Sequence, residues 1–229
     1  FSIILPAYNE DVGVVKTLDD IYSKVKGRFE IVCSIGGDDR TYDIVKKYVK
    51  DNKLKNLVYF RDVPDEKGRF GKKAAVDESS RRARSNVLVH IDCDYTYPAR
   101  YINPLVREFK EKDYDMVYGS RVLGKGVVMS RLHAFGNWAL AWIYSLLTFR
   151  RITDLTTGLR VLYKDKYFDL GLVEAGFGIE TELMIKAHKR GWSFVEIPIT
   201  LRARKGETKL RTWSDGFYFF RIMVKNRFF

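Results

Sequence analysis

The chain has 229 residues, a length that suits one large domain or a domain with an appendage. Hydrophobic residues make up 46% of it and charged residues 31%, which is enough apolar material for a buried core and excludes a disordered polymer. Lysine and arginine total 41 against 29 acidic residues, and the net charge of +12 favours an anionic partner: a nucleic acid, an acidic membrane surface or a phosphorylated small molecule.

Cysteine content and hydropathy exclude two further classes of protein. The two cysteines, Cys33 and Cys93, both lie in apolar runs that predict buried strands, so a disulfide scaffold is excluded and a reducing compartment is favoured. No run of 18 uncharged apolar residues occurs, so no segment clearly predicts a membrane span.

The first half of the chain alternates short β-rich runs with amphipathic helical patterns. Strands are predicted at 1–5, 29–33, 57–60, 87–91 and 116–119. Helices are predicted at 14–25, 42–49, 74–84 and 101–109. This alternation predicts an α/β fold, with a Rossmann-like, mostly parallel central sheet and helices on both faces. In such sheets ligands bind beyond the carboxyl ends of the strands, and there the polar segments of this chain fall.

The second half of the chain has a less regular pattern. The predicted segments are a long helix at 130–149, a polar turn at 153–160, a helix at 180–190 and an extended segment at 194–202. No internal repeat or flexible linker interrupts the sequence. We therefore predict one domain over residues 1–211, followed by an amphipathic, aromatic and basic tail over residues 212–229.

The sequence Asp92-Cys93-Asp94 comes directly after the apolar run at 87–91. Two carboxylates two residues apart at the end of a strand can share a hard divalent cation and the phosphates that the cation carries. The alternative is a capped, solvated turn, which is the common explanation for such a pair elsewhere. The strand in front of the pair and the βαβ pattern around it favour the metal site.

Two further polar segments are candidates for ligand binding. Residues 6–10, Pro-Ala-Tyr-Asn-Glu, follow the first strand, where a flat aromatic ring and a carboxylate could hold a nucleobase or a ribose edge. The alternative is that Asn9 caps the next helix. Lys72 and Lys73 follow Gly71 at a helix start, where a diphosphate could meet the helix N-terminus and two ammonium groups, or the helix start is simply solvated.

Together these segments resemble glycosyltransferase family 2, which has the GT-A fold. The later matching segments, in the family's order, are Gly119-Ser120-Arg121, the run Asp154-Leu155-Thr156-Thr157-Gly158-Leu159-Arg160, Glu182-Leu183, and residues 204–210, which are similar to the family's R-x-GESKL segment. The resemblance extends through residue 211 and is closest to the dolichyl-phosphate and polyprenyl-phosphate hexose synthases. Those enzymes move mannose or glucose from a nucleotide diphosphate to a polyprenyl phosphate.

The resemblance implies roles for individual residues of this chain. On the donor side the implied residues are Pro6, Tyr8, Glu10, Asp38, Asp39, Lys72 and Lys73. The implied ligands of Mg²⁺ or Mn²⁺ are Asp92, Asp94 and Thr96, of which the neutral Thr96 hydroxyl is the weakest. The residues implied for the acceptor phosphate and the leaving diphosphate are Arg121, Arg131, Arg202, Arg204 and Lys209. Asp154 would act as a base or as an orienting carboxylate.

The chain departs from the family pattern after the second strand. The family usually carries V-D-D-G-S-T-D there, with an early aspartate that reads the base, whereas this chain has Ser34 and Ile35 in place of the acidic pair. Carboxylates follow only at Asp38 and Asp39. Either one of them bends back to the base or the base is held otherwise, so this loop does not discriminate a GDP-hexose from a UDP-hexose donor.

The implied chemistry needs no cofactor beyond the metal. A phosphate acceptor is already an oxyanion near neutral pH, so it needs little help from a general base. A divalent ion together with arginine and lysine would stabilise the departing diphosphate electrostatically. The resemblance further implies a single displacement that inverts the anomeric centre.

The tail combines aromatic and basic residues, a composition typical of an interfacial membrane helix. Seven aromatic residues lie between Trp213 and Phe229. The alternative is a helix packed on the domain, and the apolar residues at 218–223 cannot all share one helical face, so some must pack on the domain or a partner. We expect the cytoplasmic face of a membrane, with the protein peripheral or anchored by a segment absent from this chain.

Two rival functions remain at this stage. One is a family 2 transferase that acts on a soluble glycan or polysaccharide acceptor, which would share the donor site but need no basic and aromatic tail. The other is a nucleic-acid-binding module, which only the net charge suggests. Asp92 and Asp94 at a strand end argue against it, so no nucleic acid partner is expected.

Overall fold

The computed structural model describes residues 1–125, 131–203 and 212–228. The strands in these ranges are β1 (Ser2–Tyr8), β2 (Glu30–Gly36), β3 (Leu57–Arg61), β4 (Val87–His90), β5 (Met116–Ser120), β6 (Arg160–Tyr163) and β7 (Phe194–Pro198). The helices are α1 (Val14–Lys24), α2 (Thr41–Asp51), α3 (Lys72–Arg82), α4 (Ile102–Glu111), α5 (Arg131–Thr148), α6 (Lys164–Asp169), α7 (Gly178–Lys189) and α8 (Thr212–Phe228). A short 3-10 helix, Ala99–Tyr101, precedes α4.

The strands pair in one sheet in the order β3-β2-β1-β4-β6-β5-β7. The pairs β1–β2, β1–β4, β2–β3 and β5–β7 are parallel, which confirms the predicted α/β fold with a mostly parallel sheet. The exception is β6, which runs antiparallel to both of its neighbours, β4 and β5. Because it runs backwards, its first residue lies at the edge where β1 and β4 end.

The strand β6 and the helix α6 were not predicted from the sequence. The segment at 153–160 does form a loop, but its last residue, Arg160, already belongs to β6. The remaining predicted strands and helices exist, with ends shifted by a few residues; β1, for example, extends to Tyr8 rather than ending at Leu5. Such shifts are ordinary because terminal residues respond to packing that a local pattern does not contain.

Helices cover both faces of the sheet, so the strands are apolar on both sides. Successive residues of β1 alternate between the two layers: Ile3 and Leu5 pack with α1 and α4, and Ile4 packs with the layer that contains α5 and α7. A strand that is buried on both faces has a continuous apolar sequence rather than an alternating one. Both cysteines are buried and free, as the sequence predicts.

The helix α8 is packed on the domain along one face. Phe219, Ile222 and Met223 are buried, and α8 contacts both α5 and α7. Phe217 on the other face is 73% exposed. The tail is therefore divided between a core face and an exposed face, as its apolar pattern required. None of the helices within the described ranges combines the length and apolar character that a membrane crossing requires.

Candidate active site

The loop that follows β4 carries Asp92 and Asp94 and is held in place from several sides. The Thr17 hydroxyl of α1 donates a hydrogen bond of 2.9 Å to the carbonyl oxygen of Cys93. A carboxylate oxygen of Asp20, also in α1, accepts a 2.7 Å hydrogen bond from the Ala99 amide. The loop is thus fixed to a helix that begins just after β1, which brings the two predicted ligand segments together at the carboxyl edge of the sheet.

Asp92 forms an ion pair with Lys72, the first residue of α3. The Lys72 Nζ donates 2.7 Å to Asp92 Oδ1 and 2.5 Å to Glu180 Oε1 of α7. Burial alone would lower the pKa of Lys72, but the two carboxylates raise it above its usual value, so the ammonium group stays charged. On the other side of Asp92, a Cβ at Gly158 would overlap the carboxylate, so only glycine fits there.

A cavity opens beside this ion pair and reaches the first strand. Its lining includes Pro6, His90, Asp92 and Glu180. Burial, with the nearby cations Arg160 and Lys72, lowers the pKa of His90 to about 3, so the imidazole is neutral. Pro6 and Lys72 thus line one cavity together with Asp92. Glu180 was not singled out from the sequence, because nothing local marks it as the partner of a lysine on another helix.

Asp94 is almost completely buried and is oriented by Thr96. The Thr96 backbone amide and hydroxyl both donate to Asp94 Oδ1, at 3.0 and 2.6 Å. The Thr96 hydroxyl therefore orients the carboxylate that was expected to bind the metal beside it. No group of three or more potential metal ligands occurs among the described residues. Two carboxylates at one loop still fit a hard cation, since Mg²⁺ and Mn²⁺ accept phosphate and water oxygens as their remaining ligands.

The end of β1 presents Tyr8, whose side chain is 52% exposed. Asn9 has a φ of +51° and accepts hydrogen bonds from the Asp38 and Asp39 amides, at 3.0 and 3.4 Å, so it ties β1 to the loop after β2. The Glu10 backbone amide donates 2.8 Å to the Thr41 hydroxyl at the start of α2. The positions after β1 and β2 therefore form one connected wall.

The carboxylates after β2 differ in their surroundings. Asp39 accepts hydrogen bonds from the backbone amides of Asp11 and Thr41, at 3.0 and 2.9 Å, so it joins the two loops. Asp38 is exposed. A third carboxylate, Asp62, lies directly after β3 and accepts a hydrogen bond from the Ser34 hydroxyl. Asp62 was not predicted, because its nearness to β2 depends on strand pairing and not on sequence distance.

Lys73 lies on α3 next to Lys72 but pairs with Asp77 on its own helix. The two lysines therefore differ in their partners: Lys72 forms its ion pair with Asp92 of the loop after β4, whereas Lys73 forms its ion pair within α3. A stabilising pair four residues apart is common on helices, and it accounts for Lys73 without a ligand.

Arg121 at the end of β5, for which the resemblance implies an acceptor-side role, forms a bidentate ion pair with Asp154. Its Nε and Nη2 atoms each lie 2.6 Å from a different oxygen of the Asp154 carboxylate, which is fully buried. The Arg121 Nη2 also donates 3.0 Å to the Thr156 hydroxyl. Glu196 of β7 accepts the backbone amides of Thr153 and Asp154, which holds this loop against the sheet. The arrangement suits an orienting role for Asp154.

Of the four remaining predicted cations, two lie within the described residues and two lie outside them. Arg202 forms a bidentate ion pair with Asp20, at 2.9 and 2.8 Å, and its guanidinium lies 4.1 Å from the centre of the Tyr95 ring. That pairing places Arg202 beneath the loop that carries Asp94. Arg131 is the first residue of α5. Arg204 and Lys209 lie outside the described residues.

The helix α5 carries an exposed apolar stripe, which we call the α5 stripe. Its members are Phe135, Trp138, Trp142, Leu146 and Phe149, all between 57% and 87% exposed. The spacing of three and four residues places the first four on one face of α5, and Phe149 follows directly after the helix end. The loop that carries Asp154 contacts the buried side of this helix, where the Thr156 hydroxyl lies 3.4 Å from Asn137 Oδ1.

The mostly parallel seven-stranded sheet with helices on both faces is that of a glycosyltransferase with the GT-A fold. The family model for glycosyl transferase family 2 matches residues 2–168, and the chain belongs to this family. A dolichyl-phosphate hexose transferase of Haloferax volcanii is 33% identical over 224 residues, which are 98% of this chain and 92% of that protein.

Two further comparisons place the chain among glycosyltransferases. The low-salt glycan biosynthesis hexosyltransferase Agl6 of Haloferax volcanii is 25% identical over 231 residues, and the chain spans about half (53%) of its length. The structure of glucosyl-3-phosphoglycerate synthase from Mycobacterium tuberculosis, in complex with Mn²⁺, UDP-glucose and phosphoglyceric acid, is similar with a TM-score of 0.74. At 18% identity, covering 99% of this chain and 79% of that one, this likeness shows the shared fold.

Proposed function

We propose that this glycosyltransferase moves a hexose from a nucleotide-diphosphate sugar, a GDP- or UDP-hexose, to a polyprenyl phosphate of the dolichyl type at a membrane surface. The observation that carries the proposal is that Arg121 and the helix bearing the α5 stripe meet at one loop, because Arg121 donates to Thr156 and Thr156 contacts Asn137 of α5. A cation that is not fully buried lies on one side of this loop, and the helix on its other side carries exposed indole rings on its outer face. A lipid phosphate would match both features, because it has an anionic head for the cation and an apolar chain for the indole rings.

The charge and exposure of these groups support the lipid acceptor. The Arg121 side chain is 15% exposed and its pKa is raised by Tyr97 and Asp154, against the lowering effect of burial, so it keeps its charge while remaining accessible. Trp138 is adjacent in sequence to Asn137, which contacts the acceptor-side loop. Arg150 and Arg151, both exposed, follow the stripe at Phe149 and suit an anionic leaflet.

The transfer itself is a single displacement. An oxygen of the acceptor phosphate forms a bond to the anomeric carbon while the bond from that carbon to the diphosphate oxygen breaks. The electron pair of the broken bond leaves with the nucleoside diphosphate, and the configuration at the anomeric carbon inverts. Arg121 holds the acceptor phosphate, and Asp154 orients Arg121 rather than removing a proton, because both of its oxygens already bind the guanidinium.

Asp92 and Asp94 would hold Mg²⁺ or Mn²⁺, and the ion would neutralise charge on the donor diphosphate. Lys72 lies next to Asp92 and supplies a further positive charge on the same side of the site. Tyr8, Pro6 and Glu10 line the nucleoside side. Arg131, Arg204 and Lys209 remain candidates for the anionic groups, and Arg202 would act through the Asp94 loop.

The membrane contact is assigned to the α5 stripe and the exposed face of α8. Phe217 and Phe220 on α8 are 73% and 41% exposed, whereas the other face of that helix packs on α5 and α7. Tryptophan and basic residues together are typical of surfaces that lie at a membrane interface. We place the protein on the cytoplasmic face, in keeping with its free buried cysteines.

The test is a transfer assay with separate donors and acceptors. The full chain with Mn²⁺ is incubated with GDP-mannose, UDP-glucose or other nucleotide hexoses and with a polyprenyl phosphate in vesicles, and the lipid product is weighed by mass spectrometry. Parallel reactions contain phosphoglyceric acid or an oligosaccharide instead. The proposal expects one hexosyl phosphate lipid, and Arg121→Lys should lower its yield since Lys cannot form the bidentate pair with Asp154. A product on the soluble acceptors alone would reject the lipid acceptor.

A further inference from the structure

The second strand ends without the acidic residue that its family carries, yet a carboxylate occupies the space above it. Asp62 follows β3, and its backbone amide donates 2.9 Å to the Ile35 carbonyl oxygen of β2. The Ser34 hydroxyl donates to Asp62 Oδ1. A Cβ at Gly36, the last residue of β2, would overlap Asp62 Oδ2. The Asp62 carboxylate therefore lies over the end of β2.

An aromatic ring approaches the same glycine from the other side. Tyr8 is paired with Gly36 in the β1–β2 register, and the same Cβ would lie 3.1 Å from its ring carbon Cδ2. The bare position at Gly36 is thus flanked by an exposed aromatic ring from β1 and a carboxylate from β3. A flat heteroaromatic ring can stack on the first and form hydrogen bonds at its edge with the second.

The surroundings of Asp62 leave its carboxylate available to a ligand. Among the described residues its side chain has one hydrogen-bond partner, Ser34, and no ion pair. The carboxyl group is half-buried, and burial raises its pKa despite the Ser34 hydrogen bond. Removing a carboxylate from water without a cation is unfavourable, and a hydrogen-bond donor on a ligand offsets that cost.

We propose that Asp62 reads the nucleobase of the donor and selects a base that presents a ring N–H at its edge, namely uracil or guanine. This inference rests on the proposed function and specifies its donor. An ionised carboxylate can only accept hydrogen bonds. Uracil offers its N3–H and guanine its N1–H and exocyclic amino group, whereas cytosine and adenine present a ring nitrogen lone pair that would face the carboxylate.

The experiment measures binding without turnover, so it is independent of the acceptor. The full chain with Mn²⁺ is titrated calorimetrically with UDP, GDP, CDP, ADP and inorganic pyrophosphate. UDP or GDP should bind at least tenfold more tightly than CDP and ADP, and the stronger of the two identifies the base. Asp62→Asn should weaken that nucleotide at least tenfold and leave pyrophosphate binding within twofold, because only the base contact is altered.

Asp51→Asn is the matched control, since Asp51 is an exposed carboxylate at the far end of α2. It should bind every probe as the unsubstituted chain does. If Asp62→Asn does not fold, Ser34→Ala, which removes only the orienting hydroxyl, carries the test with the same readout. Equal binding of all four nucleotides, no nucleotide binding, or base discrimination that survives the substitution would overturn the inference. Failure of the proposed acceptor chemistry would leave these affinities unchanged.

Discussion

At the scale of single residues, the carboxylates of the site are held in fixed orientations by hydrogen bonds and ion pairs with neighbouring side chains. Asp94 is held by two donors from Thr96, Asp92 by Lys72, and Asp154 by Arg121. Such preorganisation means that a ligand meets groups that need little rearrangement, which is the general source of electrostatic catalysis. Each of these carboxylates therefore accepts hydrogen bonds that stabilise the structure and also carries a negative charge that can bind a ligand. An informative substitution removes one of these two properties and keeps the other.

Asp94→Asn should separate them, because asparagine keeps an oxygen that accepts the Thr96 hydrogen bonds but loses the negative charge. We expect transferase activity to fall at least a hundredfold, or roughly 2.7 kcal/mol in activation free energy. The melting temperature should stay close to that of the unsubstituted chain. Steady-state kinetics across a range of Mn²⁺ concentrations measure the effect, with Asp51→Asn as the control. Full turnover of Asp94→Asn in excess EDTA would refute the metal assignment.

Lys72→Met tests whether the lysine between Asp92 and Glu180 stabilises the fold. Glu180 is buried, and removal of the cation leaves its carboxylate without compensation, so the free energy of unfolding should fall by about 3 kcal/mol. The double variant Lys72→Met/Glu180→Gln should recover part of that loss, because a neutral amide needs no cation. Urea unfolding of the two single variants and the double variant gives the coupling. A single variant as stable as the original chain would contradict the expectation.

At the scale of secondary-structure elements, the loop after β4 depends on elements that are distant in sequence. Asp20 of α1 binds the Ala99 amide on one side and the Arg202 guanidinium on the other. Arg202 in turn donates its backbone amide to the Thr96 carbonyl oxygen, at 2.9 Å. The orientation of Asp94 is thus determined by α1 and by the segment after β7 together.

Asp20→Asn should show this dependence as a change in pH-dependent stability. Burial alone would raise the pKa of Asp20, but hydrogen bonds from Arg202 and Ala99 lower it below 3.8. A carboxyl group whose pKa is lowered by folding stabilises the fold above its unfolded pKa and loses that contribution as the pH falls through the folded value. The variant should therefore be less stable at pH 7 by about 1–3 kcal/mol.

The difference in unfolding free energy between the two chains should shrink as the pH falls below 3.8, and it should disappear once the pH lies below the pKa of Asp20 in the folded state, where Asp20 is protonated in both states. Denaturant unfolding of both chains from pH 7 to pH 2 measures it. A difference that stays constant across this range would mean that the charge of Asp20 has no part in the stability.

Local patterns predicted the strands and helices of the first half, because each has enough apolar residues at a regular spacing. They failed at β6, where only four residues, Arg160–Tyr163, form a strand between a polar loop and a short helix. Its direction is set by its pairing with β4 and β5, which no local pattern contains. The same reason explains the site: Asp92 and Asp94 follow an obvious strand, whereas Glu180 and Asp62 reach it only through packing and strand order.

At the scale of the whole molecule, two groups of side chains flank the carboxyl edge of the sheet. The segments after β1, β2 and β3 carry the residues proposed for the nucleoside, and β5 and the loop at Asp154 carry those proposed for the acceptor. The α5 stripe lies on the exposed face of the helix that this loop contacts. Under the proposed function, the positive charge of the chain and the exposed aromatic rings would turn the site toward the lipid heads of an anionic bilayer.

Trp138→Ser/Trp142→Ser should weaken binding to vesicles that contain anionic lipid. Each indole ring is more than half exposed, so the fold should tolerate the change, and transfer of roughly 100 Å² of apolar surface per ring predicts at least a tenfold loss for the pair. Co-sedimentation with vesicles at two salt concentrations measures it. Phe70→Ser, at an aromatic residue that is 65% exposed outside the stripe, serves as the control. Equal pelleting of the tryptophan variant and the control would place the membrane contact elsewhere.

The antiparallel strand β6 also bears on the order in which the chain acquires its structure. Within the described sheet, the neighbours of β5 are β6 and β7, both of which come later in the chain. A chain emerging from the ribosome can pair β1 to β4 early, but β5 must wait until residues 160–163 insert beside β4, and the loss of chain entropy in closing that long loop slows the step. The contact between Arg121 and Asp154 therefore forms after the pairing of β1 to β4, and so does the ion pair between Asp20 and Arg202 that holds the Asp94 loop.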